Sequence, residues 1–142
     1  MGDTVVTFLS TLQYLAIFFG LIAATLALYG RYRELPSLFT GPHICRLEAG
    51  GCQILFRTRQ AALLGVPNSV LGLALYIFLT AGLIGSWPLI WLLLAVIPAF
   101  LMSVYLAVYL VRNKLECRIC WVGHFANLTL FGSLMATWIV TR

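Results

Sequence analysis

The sequence predicts an all-α integral membrane protein: a four-helix transmembrane bundle with a long cysteine-bearing loop between its first two helices. Of its 142 residues, 62% are hydrophobic and only 9% are charged, and the mean hydropathy of +1.00 is far above that of a soluble domain. Charged residues leave three long gaps, at 4–30, 60–111 and 119–141. About 20 apolar residues suffice to cross a bilayer as a helix.

The first gap predicts a helix over 8–29. A secretory signal peptide has a basic segment before a short apolar run, whereas Asp3 stands at that place here and the apolar run is longer. We therefore expect this segment to be retained as the first transmembrane helix.

The second gap is more than twice as long as one transmembrane helix requires, so the chain must fold back within it. Glycine, serine and proline between Gly82 and Pro88 place the turn there, which gives helices over 62–82 and 88–111. The third gap predicts a helix over 119–140. These runs are continuously apolar, unlike the alternating strands of a membrane barrel. We expect 1–142 to form a single membrane domain.

The cysteines form two pairs that share one face of the membrane. Cys45 and Cys52 lie in the loop over 30–60, and Cys117 and Cys120 form a Cys-x-x-Cys motif where the fourth helix starts. An even number of transmembrane helices places both pairs on the same side. Unpaired amides and the helix dipole favour a thiolate at a helix start, and the thiolate is the reactive form. We expect water to reach both pairs, and we interpret them as redox-active.

Two non-catalytic roles for the same cysteines stay open as alternatives. The four thiols together could form a tetrathiolate zinc site, because Cys-x-x-Cys is a common ligand spacing. Structural zinc normally holds together small soluble domains, which a membrane bundle does not require, so we expect no metal. The other alternative is a pair of structural disulfides.

Further residues resemble a known family. The segment Gly65–Ser69 reads Gly-Val-Pro-Asn-Ser, and Gly72 and Tyr76 follow it in the second predicted helix. Together with the preceding cysteine pair in the loop and the late Cys-x-x-Cys motif, this order resembles the vitamin K epoxide reductase family over about residues 10–140.

The resemblance implies a path for electrons. A thioredoxin-like partner of the DsbA type would reduce the loop pair, with Cys45 facing the partner and Cys52 exchanging with Cys117 through a mixed disulfide. Cys120 would then pass electrons to a membrane quinone of the menaquinone, ubiquinone or vitamin K type. Some relatives carry a fused thioredoxin-like domain; this sequence shows none, so we expect the partner to act in trans.

The resemblance also implies residues that contact the quinone. Asn68 aligns with an asparagine of the family's quinone site, Phe56 with an aromatic residue of the pocket, and Thr58 with a small hydroxyl residue after the loop pair. His124 lies four residues after Cys120 and thus on nearly the same helix face. The family often has tyrosine there, and an ionisable group within a transmembrane helix indicates function because its burial is costly.

The charges give conflicting evidence on the orientation in the membrane. The net charge of +5 is distributed over helix ends, a pattern typical of lipid headgroup contact rather than of a nucleic-acid surface. The positive-inside rule makes the cysteine face cytoplasmic, whereas disulfide chemistry and the family resemblance favour an oxidising compartment. We expect a multi-pass protein of the cell (inner) membrane with a periplasmic or extracellular cysteine face; the charges keep the cytoplasmic orientation open. Arg142 lies on the other side, and eight basic residues lie on the cysteine face: Arg31, Arg33, Arg46, Arg57, Arg59, Arg112, Lys114 and Arg118.

Overall fold

A computed structural model describes residues 2–33, 35, 56–63, 65–114 and 117–142. These residues form four α-helices, which confirm the predicted all-α fold class. The helices are α1 (Gly2–Tyr32), α2 (Asn68–Ile84), α3 (Leu89–Arg112) and α4 (Arg118–Val140).

The helices have the length and surface of a membrane protein. Among the described residues, α1, α3 and α4 are long and apolar enough to cross a bilayer, and α2 is a shorter apolar helix of 17 residues. Large apolar side chains point outward, including Phe8 at 61% exposure, Ile77 at 63% and Leu101 at 60%. An apolar exterior of this kind is stable in lipid rather than in water, so the protein is an integral membrane protein.

The predicted bounds of α3 and α4 differ from the observed ones by at most one residue, while α1 and α2 differ more. The first helix begins at Gly2 rather than at residue 8. The second begins at Asn68 rather than at residue 62, because a short antiparallel hairpin of β1 (Ala62–Leu63) and β2 (Val66–Pro67) precedes it.

Local residue chemistry explains the late start of α2. Gly65 turns the hairpin with a φ of 84°, in the left-handed region that favours glycine. Pro67 disfavours helical geometry for the residue before it and occupies the N-cap position of α2.

The four helices pack in the cyclic order α1, α2, α3, α4, so that each contacts two others, and the contact between α1 and α4 is the most extensive. Nε2 of Gln13, in the first half of α1, donates a 3.1 Å hydrogen bond to Oγ1 of Thr137, near the end of α4. Further along α1, Ala23 lies beside Gly123, near the start of α4, where an added Cβ would be 3.9 Å from that of Ala23. The two helices are therefore antiparallel. At the opposite end, residues of α1, the loop flanks and the start of α4 form a second apolar cluster, here called the cap cluster: Ala23, Leu35, Phe56, Cys117 and Ile119.

Candidate active site

The Cys-x-x-Cys motif forms a disulfide at the start of α4. Cys117 and Cys120 are bonded, with a Cα–Cα distance of 5.3 Å, inside the usual range for disulfides. Cys117 is the N-cap residue, and its Sγ accepts a hydrogen bond of 3.3 Å from the backbone N–H of Cys120. The sulfur of Cys117 therefore accepts a hydrogen bond from one of the backbone N–H groups that have no intrahelical partner at the start of a helix.

The two sulfurs differ in their surroundings. Cys117 has no exposed surface because it lies within the cap cluster, so the prediction that water reaches this thiol is wrong for the state described. Leu35 and Phe56, the apolar side chains that flank the loop, pack in the same cluster at the start of α4. Cys120 is partly exposed and faces a cavity inside the bundle.

The cavity has a volume of about 390 Å³, within the range of about 300–1,000 Å³ typical of small-ligand sites. Its wall consists mostly of apolar residues from all four helices. The structure brings Cys120 together here with the four residues expected to contact a quinone: Phe56, Thr58, Asn68 and His124.

Asn68 and His124 reach the cavity from different helices. Asn68 is the first residue of α2, a position set by the N-cap Pro67, and its side-chain oxygen is buried. His124 lies one turn after Cys120 on α4 and meets the ring of Trp121 edge to face, with 6.0 Å between ring centroids. Both side chains carry N–H donors, which could bind a carbonyl oxygen in an otherwise apolar site.

Two arginines fix Phe56 above the cavity. Nη1 of Arg31, in the last turn of α1, donates a 2.7 Å hydrogen bond to the carbonyl oxygen of Phe56, and Nε of Arg57 donates one of 3.1 Å to the carbonyl oxygen of Arg31. This reciprocal pair ties the segment after the loop to the end of α1. The Phe56 ring is thereby held both in the cap cluster and in the cavity wall.

Sequence reasoning assigned no role to three polar residues that also line the cavity. Tyr76, Ser103 and Asn127 come from α2, α3 and α4, and hydrogen bonds join them. The signal was present in the sequence, since Asn127 follows Cys120 by seven residues and thus lies on the same helix face.

The loop cysteines Cys45 and Cys52 lie outside the described residues. Within the part of the chain that the structure describes, no group of three or more His, Cys, Asp or Glu side chains could hold a metal ion. A tetrathiolate site would require both loop cysteines, so elemental analysis is the test of the zinc alternative.

The site thus consists of a disulfide at the start of a transmembrane helix, with the Cys120 sulfur facing a mostly apolar cavity. Comparison with known proteins identifies the family. The sequence model of the vitamin K epoxide reductase family matches residues 12–135, most of the chain, and the chain belongs to this family. No match was found among curated proteins or among solved structures. The family places this protein among membrane oxidoreductases that act on thiols and that in general use quinones.

Proposed function

We propose that this protein is a quinone-dependent, disulfide-forming oxidoreductase that acts as one membrane domain over 1–142. A thioredoxin-like protein acting in trans reduces the loop pair, Cys45 and Cys52. The loop pair then reduces the disulfide between Cys117 and Cys120, and Cys120 delivers the electrons to a quinone.

One observation carries the proposal: Cys120 opens onto a cavity that Asn68, His124, Phe56 and Thr58 also line. A quinone headgroup requires an apolar site with a few hydrogen-bond donors for its oxygens, and the cavity offers both. Its mostly apolar walls suit the quinone ring, while the amide of Asn68 and the imidazole of His124 supply donors.

The electron balance requires both sulfurs of α4. A dithiol that becomes a disulfide releases two electrons and two protons, and a quinone that accepts both becomes a quinol. Cys120, facing the cavity, is the sulfur that meets the acceptor, and Cys117 closes the disulfide behind it. His124 lies one turn from Cys120 and orients the acceptor through its N–H.

Thiol exchange with the loop requires the cap cluster to open. Cys117 has no exposed surface, and a thiolate must reach a sulfur directly to exchange with it. Movement of Leu35 and Phe56 away from Cys117 would admit Cys52. The contacts of Arg31 and Arg57 with the Phe56 segment hold the closed arrangement.

We place the cysteine face on the periplasmic or extracellular side of the cell membrane. A disulfide-forming activity is consistent with an oxidising compartment, where thiols are not kept reduced. A membrane-impermeant thiol reagent applied to intact, mildly reduced cells should label Cys45 under this orientation. Labelling only after permeabilisation would place this face in the cytoplasm, as the positive-inside rule indicates.

The test of the function is turnover by purified protein with dithiothreitol as the thiol donor and menadione or a short-chain ubiquinone as the acceptor. Quinol formation above the protein-free rate is expected, and Cys120→Ala should abolish it. Turnover retained in Cys120→Ala would remove the assigned electron exit.

The rival is a non-catalytic protein with structural disulfides or a tetrathiolate zinc site. Elemental analysis of the purified protein tests the zinc form, for which one zinc ion per chain is expected. The structural-disulfide form predicts no quinone reduction by the wild type and a disulfide that survives dithiothreitol in the folded protein.

A further inference from the structure

A polar network inside the bundle has no role in the chemistry proposed above. The Tyr76 hydroxyl donates a hydrogen bond of 2.8 Å to Oδ1 of Asn127, and Nδ2 of Asn127 donates one of 2.7 Å to Oγ of Ser103. The three residues come from three different helices, and all three line the cavity that Cys120 faces. We refer to Tyr76, Ser103 and Asn127 as the deep network.

The deep network lies beyond His124 on the face of α4 that carries Cys120. Asn127 follows Cys120 by two helical turns, which places it about 10 Å further along the helix axis at 1.5 Å per residue. The mostly apolar cavity therefore has polar groups at two levels, one close to Cys120 and one at the deep network.

The deep network has donors that it does not use internally. An amide carries two N–H groups and a hydroxyl carries one O–H. Among the described residues, neither the second N–H of Asn127 nor the O–H of Ser103 has an acceptor. Ser103 is buried, and leaving a buried donor without an acceptor is unfavourable. These donors point to a ligand oxygen in the cavity.

The packing of α1 accommodates the deep network. A Cβ at Gly20 would come within 2.7 Å of the Tyr76 hydroxyl oxygen, so only glycine leaves room for that ring. Polar contacts between helices can also serve packing alone, as the bond between Gln13 and Thr137 does. Neither of those two residues lines the cavity, whereas every member of the deep network does.

We propose that the deep network binds a quinone oxygen at the edge of the ring remote from Cys120. Asn127 and Ser103 supply the hydrogen bonds, and Tyr76 fixes the orientation of the Asn127 amide. This inference rests on the proposed quinone reduction and adds a contact that sets the depth and orientation of the headgroup. The oxygen belongs to a ring carbonyl or to an alkoxy substituent, both of which accept hydrogen bonds.

The experiment measures quinone binding to the oxidised protein by quenching of tryptophan fluorescence. Asn127→Leu and Ser103→Ala are each expected to raise the Kd about three- to tenfold, the effect of losing one hydrogen bond. Menadione carries only carbonyl oxygens, whereas ubiquinone-1 also carries methoxy groups. Weaker binding of both quinones assigns a carbonyl, and weaker binding of ubiquinone-1 alone assigns an alkoxy oxygen.

Two control variants separate ligand binding from packing. Gln13→Leu removes an interhelical hydrogen bond away from the cavity, and Ser133→Ala removes a buried hydroxyl that bonds only within α4. Both should leave the Kd unchanged, whatever they do to the unfolding temperature. Ser103→Ala removes a single oxygen atom, so it keeps the test available should Asn127→Leu fail to fold.

The outcomes also separate this inference from the proposed function. An unchanged Kd for both quinones in Asn127→Leu and in Ser103→Ala, with a wild type that binds and reduces them, overturns the role of the deep network alone. A wild type that neither binds nor reduces either quinone overturns the proposed function itself.

Discussion

Replacing Gly20 by alanine tests the packing on which the deep end of the cavity depends. A Cβ at this position would approach Cε1 and Oη of Tyr76 to 2.7 Å, closer than packed atoms tolerate. The Tyr76 ring is only 3% exposed and its hydroxyl is bonded to Asn127, so it cannot move without losing contacts. Overpacking of this kind typically costs about 1–3 kcal/mol.

Gly132→Ala provides a matched control, because Gly132 lies in α4 and a Cβ there would meet nothing within 4 Å. Both substitutions gain the helix propensity of alanine, up to about 1 kcal/mol, so the difference between the two variants isolates the clash with Tyr76. Thermal unfolding in detergent, followed by tryptophan fluorescence, should show Gly20→Ala unfolding several degrees below Gly132→Ala. Equal unfolding temperatures would refute the packing of Tyr76 against Gly20.

Three further predictions concern the path of electrons. Cys120→Ala should accumulate a Cys52–Cys117 bridge, detectable by peptide mapping, because the resolving thiol is gone. His124→Phe should raise the quinone KM about three- to tenfold, the effect of one lost hydrogen bond, while thiol exchange with dithiothreitol stays intact. Phe56→Ala should speed reduction of the α4 disulfide by a water-soluble thiol at least about tenfold. A tenfold faster rate requires the barrier to opening the cap cluster to fall by only about 1.4 kcal/mol, which is less than the packing energy that the substitution removes.

Each of these predictions has a result that would count against it. A bridge from Cys117 to Cys45 would reverse the order of the loop thiols. An unchanged quinone KM in His124→Phe would remove the imidazole as a contact. For the cap cluster, Phe18→Ala is the matched control because that ring faces outward on α1 with 58% exposure; an equal reduction rate in both variants would show that Phe56 does not shield Cys117.

Hydropathy and turn chemistry predicted most of the fold, because transmembrane helices depend on composition along the chain. The bounds of α3 and α4 followed from the charged residues near their ends and from Pro88 before the start of α3. The start of α2 was not predicted, because hydropathy shows only a continuous apolar run at this point. The hairpin that precedes α2 depends instead on the local backbone preferences of Gly65 and Pro67.

The candidate site was only partly predictable. Helix periodicity placed His124 near Cys120, and the resemblance to the family supplied Asn68, Phe56 and Thr58; all four line one cavity with Cys120. Periodicity cannot show how helices pack against each other. It therefore missed the burial of Cys117 and the meeting of three helices at the deep network.

The most direct test of the account is a single-turnover measurement on protein that carries Cys45→Ser and Cys52→Ser, so that the loop pair cannot reduce the α4 disulfide again. This protein is reduced beforehand and freed of excess thiol. One equivalent of ubiquinone-1 is added, quinol is followed by absorbance, and the bonding of Cys117 and Cys120 is determined by mass spectrometry. The account predicts quinol in step with re-formation of the α4 disulfide, and none in Cys120→Ala. Quinol formed while those two cysteines stay reduced, or formed equally in Cys120→Ala, would contradict it.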